Sequence, residues 1–175
     1  MSSFTVTRRV EIDAAHRIPD HGSRCRHLHG HRYVVEAACG NPSLQEAGEE
    51  RGMVLDFGFL KEEMLAVIDA PCDHGLLLSV DDHVMLALLA GGSDRPEAWL
   101  EGLRERVAGQ GYAEGRDPAL GGKLYLVPGP PTAEVLARHW YERLVPRVHA
   151  RSRGNAALLA VTVWETPNCW ARYQP

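Results

Sequence analysis

The sequence predicts an α+β fold in which two helices lie on one face of a four-stranded antiparallel sheet. Residues 4–16 and 29–39 each alternate apolar and polar side chains with the period of two that half-buried strands show. The stretches that follow Asp56 and Thr132 instead place apolar residues at helical spacing. With two further strands at the C-terminal end, the predicted order of elements is ββααββ.

Each predicted element is bounded by residues that favour a cap or a turn. Asp56 and Thr132 are N-cap candidates, because their side chains can accept a hydrogen bond from the first helical turn. The segment Thr166-Pro167-Asn168 predicts the turn between the last two strands, which we place at residues 156–165 and 169–173.

A long segment, residues 80–123, interrupts this order between the two helices. It contains VMLALLA, then the break Gly91-Gly92, then PEAWLEGLRERVA with a second apolar stripe. It returns through a glycine-rich stretch, residues 109–122, into a short predicted strand, KLYLV. Long surface insertions cost little loop-closure entropy. We therefore interpret this segment as a helical and loop insertion within a single domain that spans residues 1–175.

Composition restricts the classes of function. The chain of 175 residues is 45% hydrophobic and 24% charged, which is ordinary for a globular protein. A net charge of -4 without a basic run argues against nucleic-acid binding. No apolar run approaches the roughly 18 residues of a membrane span, and the N-terminus lacks the apolar stretch of a secretory signal. The four cysteines show no paired spacing, so we expect reduced thiols in the cytoplasm.

Three histidines are arranged as candidate metal ligands. His29 and His31 are two apart on a predicted strand, so their rings project from the same side. His16 ends the preceding strand on its apolar face. If the two strands are neighbours, three imidazoles converge and leave a fourth position open, as in catalytic zinc sites, although imidazole also binds iron, copper and nickel. Solvated or hydrogen-bonded histidines are the alternative, but unpaired polar rings on an apolar face cost free energy, which favours the metal site.

Cys25 has two functional interpretations. As a fourth ligand beside the three histidines, it would close the site into a structural zinc centre. As a free thiol close to the cation, it would have a lowered pKa and could act as a base or a nucleophile. Spacing alone does not decide between them.

Five further residues are candidates for catalysis or substrate binding. Asp73 can orient the ring of His74 and raise its basicity, which suits acid–base catalysis, although a turn at a helix end explains the pair too. Glu165 is in phase with an apolar strand face, where a ligand with paired N–H donors would satisfy it; a bulge that turns it to solvent is the alternative. Thr132 and Glu134 open a helix, where a capping threonine and a carboxylate on the helix dipole are a strong structural explanation.

Taken together, these segments resemble the family of 6-pyruvoyl-tetrahydropterin synthases and 6-carboxytetrahydropterin synthases. The resemblance covers nearly the whole chain outside residues 80–123, and the spacing C-x-x-x-H-G-H is its most specific part. The matching motifs are DAAHR (13–17), CRHLHGH (25–31), GMVLDFGFLK (52–61), DH (73–74), PTAEVLA (131–137) and ET (165–166).

The resemblance implies a fold, an assembly and a set of roles. It implies the tunnelling fold (T-fold), a homohexamer built as a dimer of trimers, and sites that lie between subunits. It implies a Zn²⁺ ion on His16, His29 and His31. It implies Cys25 as the catalytic base, with Asp73 and His74 as its proton-relay partners. It implies substrate binding by Glu165, helped by Thr132 and Glu134.

The reaction that the resemblance implies is that of a zinc-dependent lyase. The substrate is 7,8-dihydroneopterin triphosphate, and the products are 6-carboxy-5,6,7,8-tetrahydropterin, acetaldehyde and triphosphate, for queuosine and other 7-deazapurines. The form of the CRHLHGH motif, with Arg26 after the cysteine, favours this branch. A 6-pyruvoyl-tetrahydropterin synthase of the tetrahydrobiopterin pathway and a non-catalytic zinc- or pterin-binding paralogue are the alternatives. From charge alone, Arg17, Arg24 and Arg26 are candidates to meet the triphosphate.

Overall fold

The alternating N-terminal segments form the two strands that the sequence predicts, β1 (Phe4–His16) and β2 (His29–Asn41). The computed structural model describes residues 3–175, which group into two units. The first unit contains the chain up to residue 11 and residues 33–70 and 136–175; the second contains residues 12–32 and 71–135. The assignment of residues 1–175 to one domain stays a prediction.

The sheet has seven strands, so the prediction of a four-stranded antiparallel sheet with the order ββααββ is wrong, while the α+β class is confirmed. The strand order is β4-β5-β3-β1-β2-β6-β7. The pairs β1–β3 and β3–β5 are parallel, and β2–β6, β6–β7 and β4–β5 are antiparallel. The five strands after β2 are β3 (Gly75–Ser79), β4 (Ala113–Arg116), β5 (Lys123–Val127), β6 (Ala157–Thr166) and β7 (Cys169–Tyr173).

Of the three strands beyond the predicted four, β5 is predicted as the strand KLYLV, whereas β3 and β4 escape prediction for physical reasons. The strand β3, GLLLS, is a short continuous apolar run, and such runs carry no period that separates strand from buried helix. In β4, AEGR, three of the four residues are exposed, so no apolar alternation marks it. KLYLV is recognisable as a strand, but its parallel pairing with β3 depends on residues far away in sequence.

The two predicted helices begin directly after their predicted caps, Asp56 and Thr132. The helix α1 (Phe57–Met64) begins after Asp56, whose carboxylate accepts a hydrogen bond from the Gly58 N–H. It continues through one wider π turn into α2, which ends just before the Asp73-His74 pair. The helix α5 includes Pro146 near its end. The bounds are Leu65–Asp69 for the π turn, Ala70–Cys72 for α2 and Ala133–Arg151 for α5.

In the second unit, the two apolar stripes within residues 80–123 form α3 (His83–Ala90) and α4 (Pro96–Gln110). These helices share a buried apolar cluster with β3, β4 and β5, because each contributes one apolar face. The cluster contains Leu78, Met85, Leu86, Leu89, Leu103, Val107, Ala113, Leu124 and Leu126.

A buried ion pair connects α3 to the end of β1. The Asp82 side chain is 1% exposed, and its Oδ1 caps α3 by accepting the Met85 N–H at 3.1 Å. Its Oδ2 lies 3.0 Å from Nε of Arg17, off the line of a hydrogen bond, so the attraction is chiefly Coulombic. Since Arg17 directly follows His16, the pair fixes the chain beside a candidate ligand.

No helix within residues 3–175 combines the length and the apolar content that crossing a bilayer requires. The apolar helix α3 has only 8 residues, or about 12 Å of rise, against a hydrocarbon thickness of about 30 Å. A cytoplasmic location stays an expectation from the sequence.

Replacing Asp82 tests the buried pair. The variant Asp82→Ala leaves the Arg17 guanidinium without its partner and removes the cap of α3, so the free energy of unfolding should fall by about 3 kcal/mol. The neighbouring exposed residue supplies the control: Asp81→Ala should change it by less than about 0.5 kcal/mol. Urea titrations of the three proteins compare these values, and equal stability of both variants would contradict the account.

Candidate metal centre

The three predicted ligands meet at one end of the paired strands. His16 is the last residue of β1, and His29 and His31 are the first and third residues of β2. Their ring centroids lie 4.5, 4.9 and 5.1 Å apart. One nitrogen from each ring lies within 4.8 Å of the other two, so the three histidines form a group that could hold a metal ion.

Hydrogen bonds to backbone carbonyls fix the protonation of two of the rings. Nδ1 of His16 lies 2.9 Å from the Pro131 carbonyl, and Nδ1 of His29 lies 2.8 Å from the His27 carbonyl. A carbonyl only accepts, so each Nδ1 carries the proton. In the neutral rings each Nε2 therefore has a lone pair, and these two atoms are 3.1 Å apart. Two lone pairs pointing together repel each other, and a cation between them removes the repulsion.

The surroundings keep His16 in the neutral form that ligates. Its side chain is 1% exposed. Burial lowers the pKa of His16 to about 4, helped by the nearby His29 and His31, although the Pro131 carbonyl acts in the opposite direction. Burial and the neighbouring His29 also lower the pKa of His31. At neutral pH the rings of His16 and His31 are therefore available to a metal rather than to protons.

The donor set fits a first-row divalent cation. Zinc at about 2.0–2.1 Å from two tetrahedral nitrogens separates them by about 3.3 Å, close to the observed Nε2 separation. The carbonyls that hold both Nδ1–H groups are the second-shell partners that orient ligating imidazoles. Three neutral nitrogens alone do not select among zinc, iron, copper and nickel.

Cys25 lies outside this group of ligand atoms. It occupies a single 3₁₀ turn, Arg24–Arg26, where its carbonyl accepts the Ile18 N–H at 2.8 Å. Its thiol is partly exposed and forms no disulfide. Among residues 3–175, the groups of three or more potential ligands comprise the three histidines and not this thiol.

Asp73 and His74 form a hydrogen-bonded pair, as the sequence predicts for the orientation of the ring; the acid–base role stays a prediction. Nδ1 of His74 lies 2.8 Å from Oδ2 of Asp73, while 78% of the His74 side chain is exposed. Burial acts to raise the pKa of Asp73, but the Asp13 N–H, His74 and the charge of Lys123 together lower it below its ordinary value. The ionised carboxylate accepts the Nδ1–H of His74, so its Nε2 is left as an exposed base.

The backbone of His74 is held in an unfavourable conformation. Its φ is +57°, in the left-handed region that non-glycine residues rarely occupy. The His74 N–H donates to the Asp13 carbonyl at 2.7 Å, and the Asp13 N–H donates to Oδ1 of Asp73 at 2.9 Å. These two bonds tie the dipeptide to β1 and compensate part of the strain.

An open cleft of about 610 Å³ lies beside these groups. His31 and His74 both line it, so a candidate metal ligand and a candidate base share one cavity. The cleft walls come from the ends of β1, β2, β3 and β5 and from the loop before β5. Its charged lining residues are Asp13, Arg32, Asp117 and Lys123.

The remaining predicted residues lie elsewhere in the chain. Thr132 caps α5 as predicted, since its Oγ1 accepts the Val135 N–H at 3.3 Å, and Glu134 is exposed in the first turn. Glu165 is half-buried in β6 of the first unit, where the register with β7 shifts between Trp164 and Thr166. The register shift lies where the sequence offers a bulge as the alternative, but Glu165 stays half-buried and is not turned fully to solvent.

The sequence predicts no separate role for two of the cleft residues, Asp13 and Lys123. Asp13 forms hydrogen bonds with Asp73, His74 and Arg32. Lys123 was assigned to the insertion. The signal for Asp13 is its place in the DAAHR motif, three residues before a ligand; Lys123 has none, because parallel pairing places it there.

The fold and the site describe a small α+β protein with a three-histidine group suited to a metal ion, next to a cleft that exposes a histidine–aspartate pair. The chain belongs to the 6-pyruvoyl tetrahydropterin synthase family, whose model matches residues 5–175. It is 33% identical over 164 residues to the 6-carboxy-5,6,7,8-tetrahydropterin synthase of Rickettsia conorii, covering 94% of this chain and 95% of that protein.

Two solved structures share the fold. One is an uncharacterised protein of Wolinella succinogenes, with a TM-score of 0.74, 22% identity and 99% of each chain covered. The other is the 6-pyruvoyl tetrahydropterin synthase of Caenorhabditis elegans, with a TM-score of 0.57, 22% identity, and 100% of this chain and 97% of that chain covered. At this identity they support the fold alone.

Removing one ligand tests the metal centre. His29→Ala should weaken zinc binding at least about 100-fold, because a ligand contributes no less than its second-shell partner. His21, whose ring accepts the Ser23 N–H in the loop, gives the matched control. His21→Ala should bind zinc as the parent does. Calorimetric zinc titration measures both, and unchanged affinity in His29→Ala would exclude the centre.

Two variants of His74 test the backbone strain without the imidazole. Both His74→Gly and His74→Ala lose the ring, but only glycine occupies φ of +57° at no steric cost. The free energy of unfolding of His74→Gly should therefore exceed that of His74→Ala by about 1 kcal/mol. The order should reverse for Asp73→Gly and Asp73→Ala, because a φ above zero is confined in this dipeptide to His74. A more stable His74→Ala would count against the strain.

Proposed function

We propose that this protein is a zinc-dependent lyase that acts on 7,8-dihydroneopterin triphosphate. The products are 6-carboxy-5,6,7,8-tetrahydropterin, acetaldehyde and triphosphate, with net uptake of water. The observation that carries the proposal is the convergence of three imidazoles beside a cleft that also exposes His74, backed by Asp73. The relative in Rickettsia conorii, which is named 6-carboxy-5,6,7,8-tetrahydropterin synthase, supports this choice of reaction.

His16, His29 and His31 would hold the zinc ion. When bound, zinc supplies a Lewis acid that polarises the substrate side-chain oxygens and acidifies the neighbouring C–H and O–H groups. The protein supplies the orientation, since the Pro131 and His27 carbonyls fix two of the rings before any ligand arrives. A preformed ligand set reduces the reorganisation that binding requires.

Cys25 and His74 would move the protons. The thiolate of Cys25 accepts a proton from the substrate side chain, a role that its partial exposure and its place outside the ligand group both allow. Nε2 of His74 transfers protons to and from the side-chain oxygens. Asp73 accepts the Nδ1–H, so it holds the tautomer and stabilises the imidazolium that forms.

Glu165 would bind the N–H edge of the pterin ring, with Thr132 and Glu134 as further substrate contacts. A carboxylate that accepts two parallel N–H donors gives both affinity and orientation. The proposal includes assembly into a homohexamer, a dimer of trimers, in which different subunits complete each site. The product would serve the synthesis of 7-deazapurines such as queuosine.

Product analysis tests the proposed reaction. The zinc-loaded protein is incubated with 7,8-dihydroneopterin triphosphate, and the mixture is analysed by mass spectrometry. We expect 6-carboxy-5,6,7,8-tetrahydropterin together with acetaldehyde. A 6-pyruvoyl product would move the protein to the other branch of the family, and unchanged substrate with bound zinc would reject the activity.

Replacing Cys25 separates a catalytic thiol from a structural ligand. Cys25→Ala should lower kcat at least about 100-fold, the smaller contribution of a positioned base, while zinc stoichiometry and unfolding free energy stay unchanged. Cys169, exposed on β7, supplies the control, and Cys169→Ala should retain full rate. Loss of zinc from Cys25→Ala would identify a closed structural site instead.

A further inference from the structure

We propose that Lys123, the first residue of β5, binds the triphosphate group of the substrate from the far wall of the cleft. The first position of β5 would thereby supply a residue that discriminates phosphorylated from unphosphorylated pterins. The identity of the substrate rests on the proposed function; the anion site itself does not.

The strand register places Lys123 at a suitable distance from the metal ligands. Lys123 pairs with Gly75 of β3, and Gly75 pairs with Ala14 of β1. Two strand spacings separate Lys123 from β1 by about 10 Å, and His16 lies two residues, or about 7 Å, further along. The two Cα atoms are therefore about 12 Å apart. A lysine side chain and a substrate side chain that ends in a triphosphate together cover this distance.

The charges in the cleft leave Lys123 available to an anion. Arg32, the other cation of the lining, is engaged by Asp13 through two hydrogen bonds of 3.1 and 3.0 Å. Lys123 makes no ion pair within 4.0 Å among residues 3–175, and Asp73 feels its charge only at longer range. An ammonium group on a cleft wall, without a carboxylate partner, suits a polyphosphate.

The carboxylate that the loop before β5 contributes to the cleft is already used by backbone N–H groups of that loop. Asp117 is 1% exposed, and its two oxygens accept the N–H groups of Leu120 at 2.6 Å and Gly122 at 2.8 Å. These bonds close the loop 117–122 immediately before Lys123. The backbone of Lys123 is therefore held in place on both sides, by this loop and by the β3–β5 ladder. A preorganised cation loses less entropy when it binds.

Of the arginines that the sequence offered for the triphosphate, Arg17 is committed to another partner. It lies 3.0 Å from the buried carboxylate of Asp82. Arg24 and Arg26 are exposed in the 3₁₀ turn, and neither lines the cleft. Lys123 is therefore better placed than these three arginines to bind an anion in the cleft.

Lysine labelling tests the anion site without turnover. The chain contains two lysines, Lys123 and Lys61, and Lys61 lies on α1 in the first unit, which makes it an internal control. The purified protein is reductively methylated with and without inorganic triphosphate, and its peptides are quantified by mass spectrometry. Metal content is measured before and after, because triphosphate chelates divalent ions. Labelling of Lys123 should fall at least about fivefold at saturation, and labelling of Lys61 should stay unchanged. Equal labelling of both lysines in the presence of triphosphate would overturn the proposal.

Kinetics of matched variants test the role in substrate binding. Lys123→Met should raise KM for 7,8-dihydroneopterin triphosphate about tenfold, which corresponds to about 1.4 kcal/mol, and change kcat less than about twofold. Its affinity for unphosphorylated 7,8-dihydroneopterin should match that of the parent. Lys123→Arg should restore most of the KM, and Lys61→Met should behave as the parent does.

The outcomes distinguish this inference from the proposed function. If the parent turns the substrate over and Lys123→Met keeps its KM, the role of Lys123 is rejected and the reaction stands. If the parent shows no turnover but triphosphate protects Lys123, the anion site stands and the reaction is rejected. A Lys123→Met variant that weakens both pterins equally would indicate a general structural effect and would reject the role as well.

Discussion

Two imidazole nitrogens with facing lone pairs are the constraint on which the candidate site depends. Nε2 of His16 and Nε2 of His29 approach to 3.1 Å, although backbone carbonyls hold the proton of each ring on the opposite nitrogen. Burial of His16 lowers its pKa to about 4 and so disfavours relief by protonation of that ring. Such a partly buried arrangement costs free energy that a cation between the two nitrogens would recover. The fold therefore holds the donor atoms of a candidate metal site in position at the expense of local stability.

The second strained element, the backbone of His74, lines the cleft that His31 also lines. The left-handed backbone of His74 costs about 1–2 kcal/mol. It is compensated by hydrogen bonds to Asp13, which belongs to the strand that carries His16. Parallel pairing of β1 with β3 makes this possible, since it brings the start of β3 beside the end of β1. Unfavourable local conformations concentrate at functional sites, where the surrounding structure enforces them.

The sequence predicts the convergence of the three candidate metal ligands, because the placement of these histidines depends on local periodicity. A strand that ends in His16 and a strand that begins with His29 place three rings together once the strands are neighbours, and that is the observed order. The caps at Asp56 and Thr132 are predictable for the same reason, since each acts within three residues. The sheet is not predictable in this way. The strand β3 joins β1 and β5 through parallel pairs whose partners lie roughly 50–60 positions away, and no local signal encodes them. The contributions of Asp13 and Lys123 depend on that pairing, which is why the sequence leaves both unassigned.

X-ray absorption spectroscopy of the zinc-loaded protein tests the central claim most directly, because it counts the atoms around the metal. An open three-histidine centre predicts only nitrogen and oxygen scatterers at about 2.0–2.1 Å, with the multiple-scattering pattern of three imidazoles. A sulfur scatterer at about 2.3 Å would contradict the account, since Cys25 would then close the coordination shell and leave no position for a substrate oxygen.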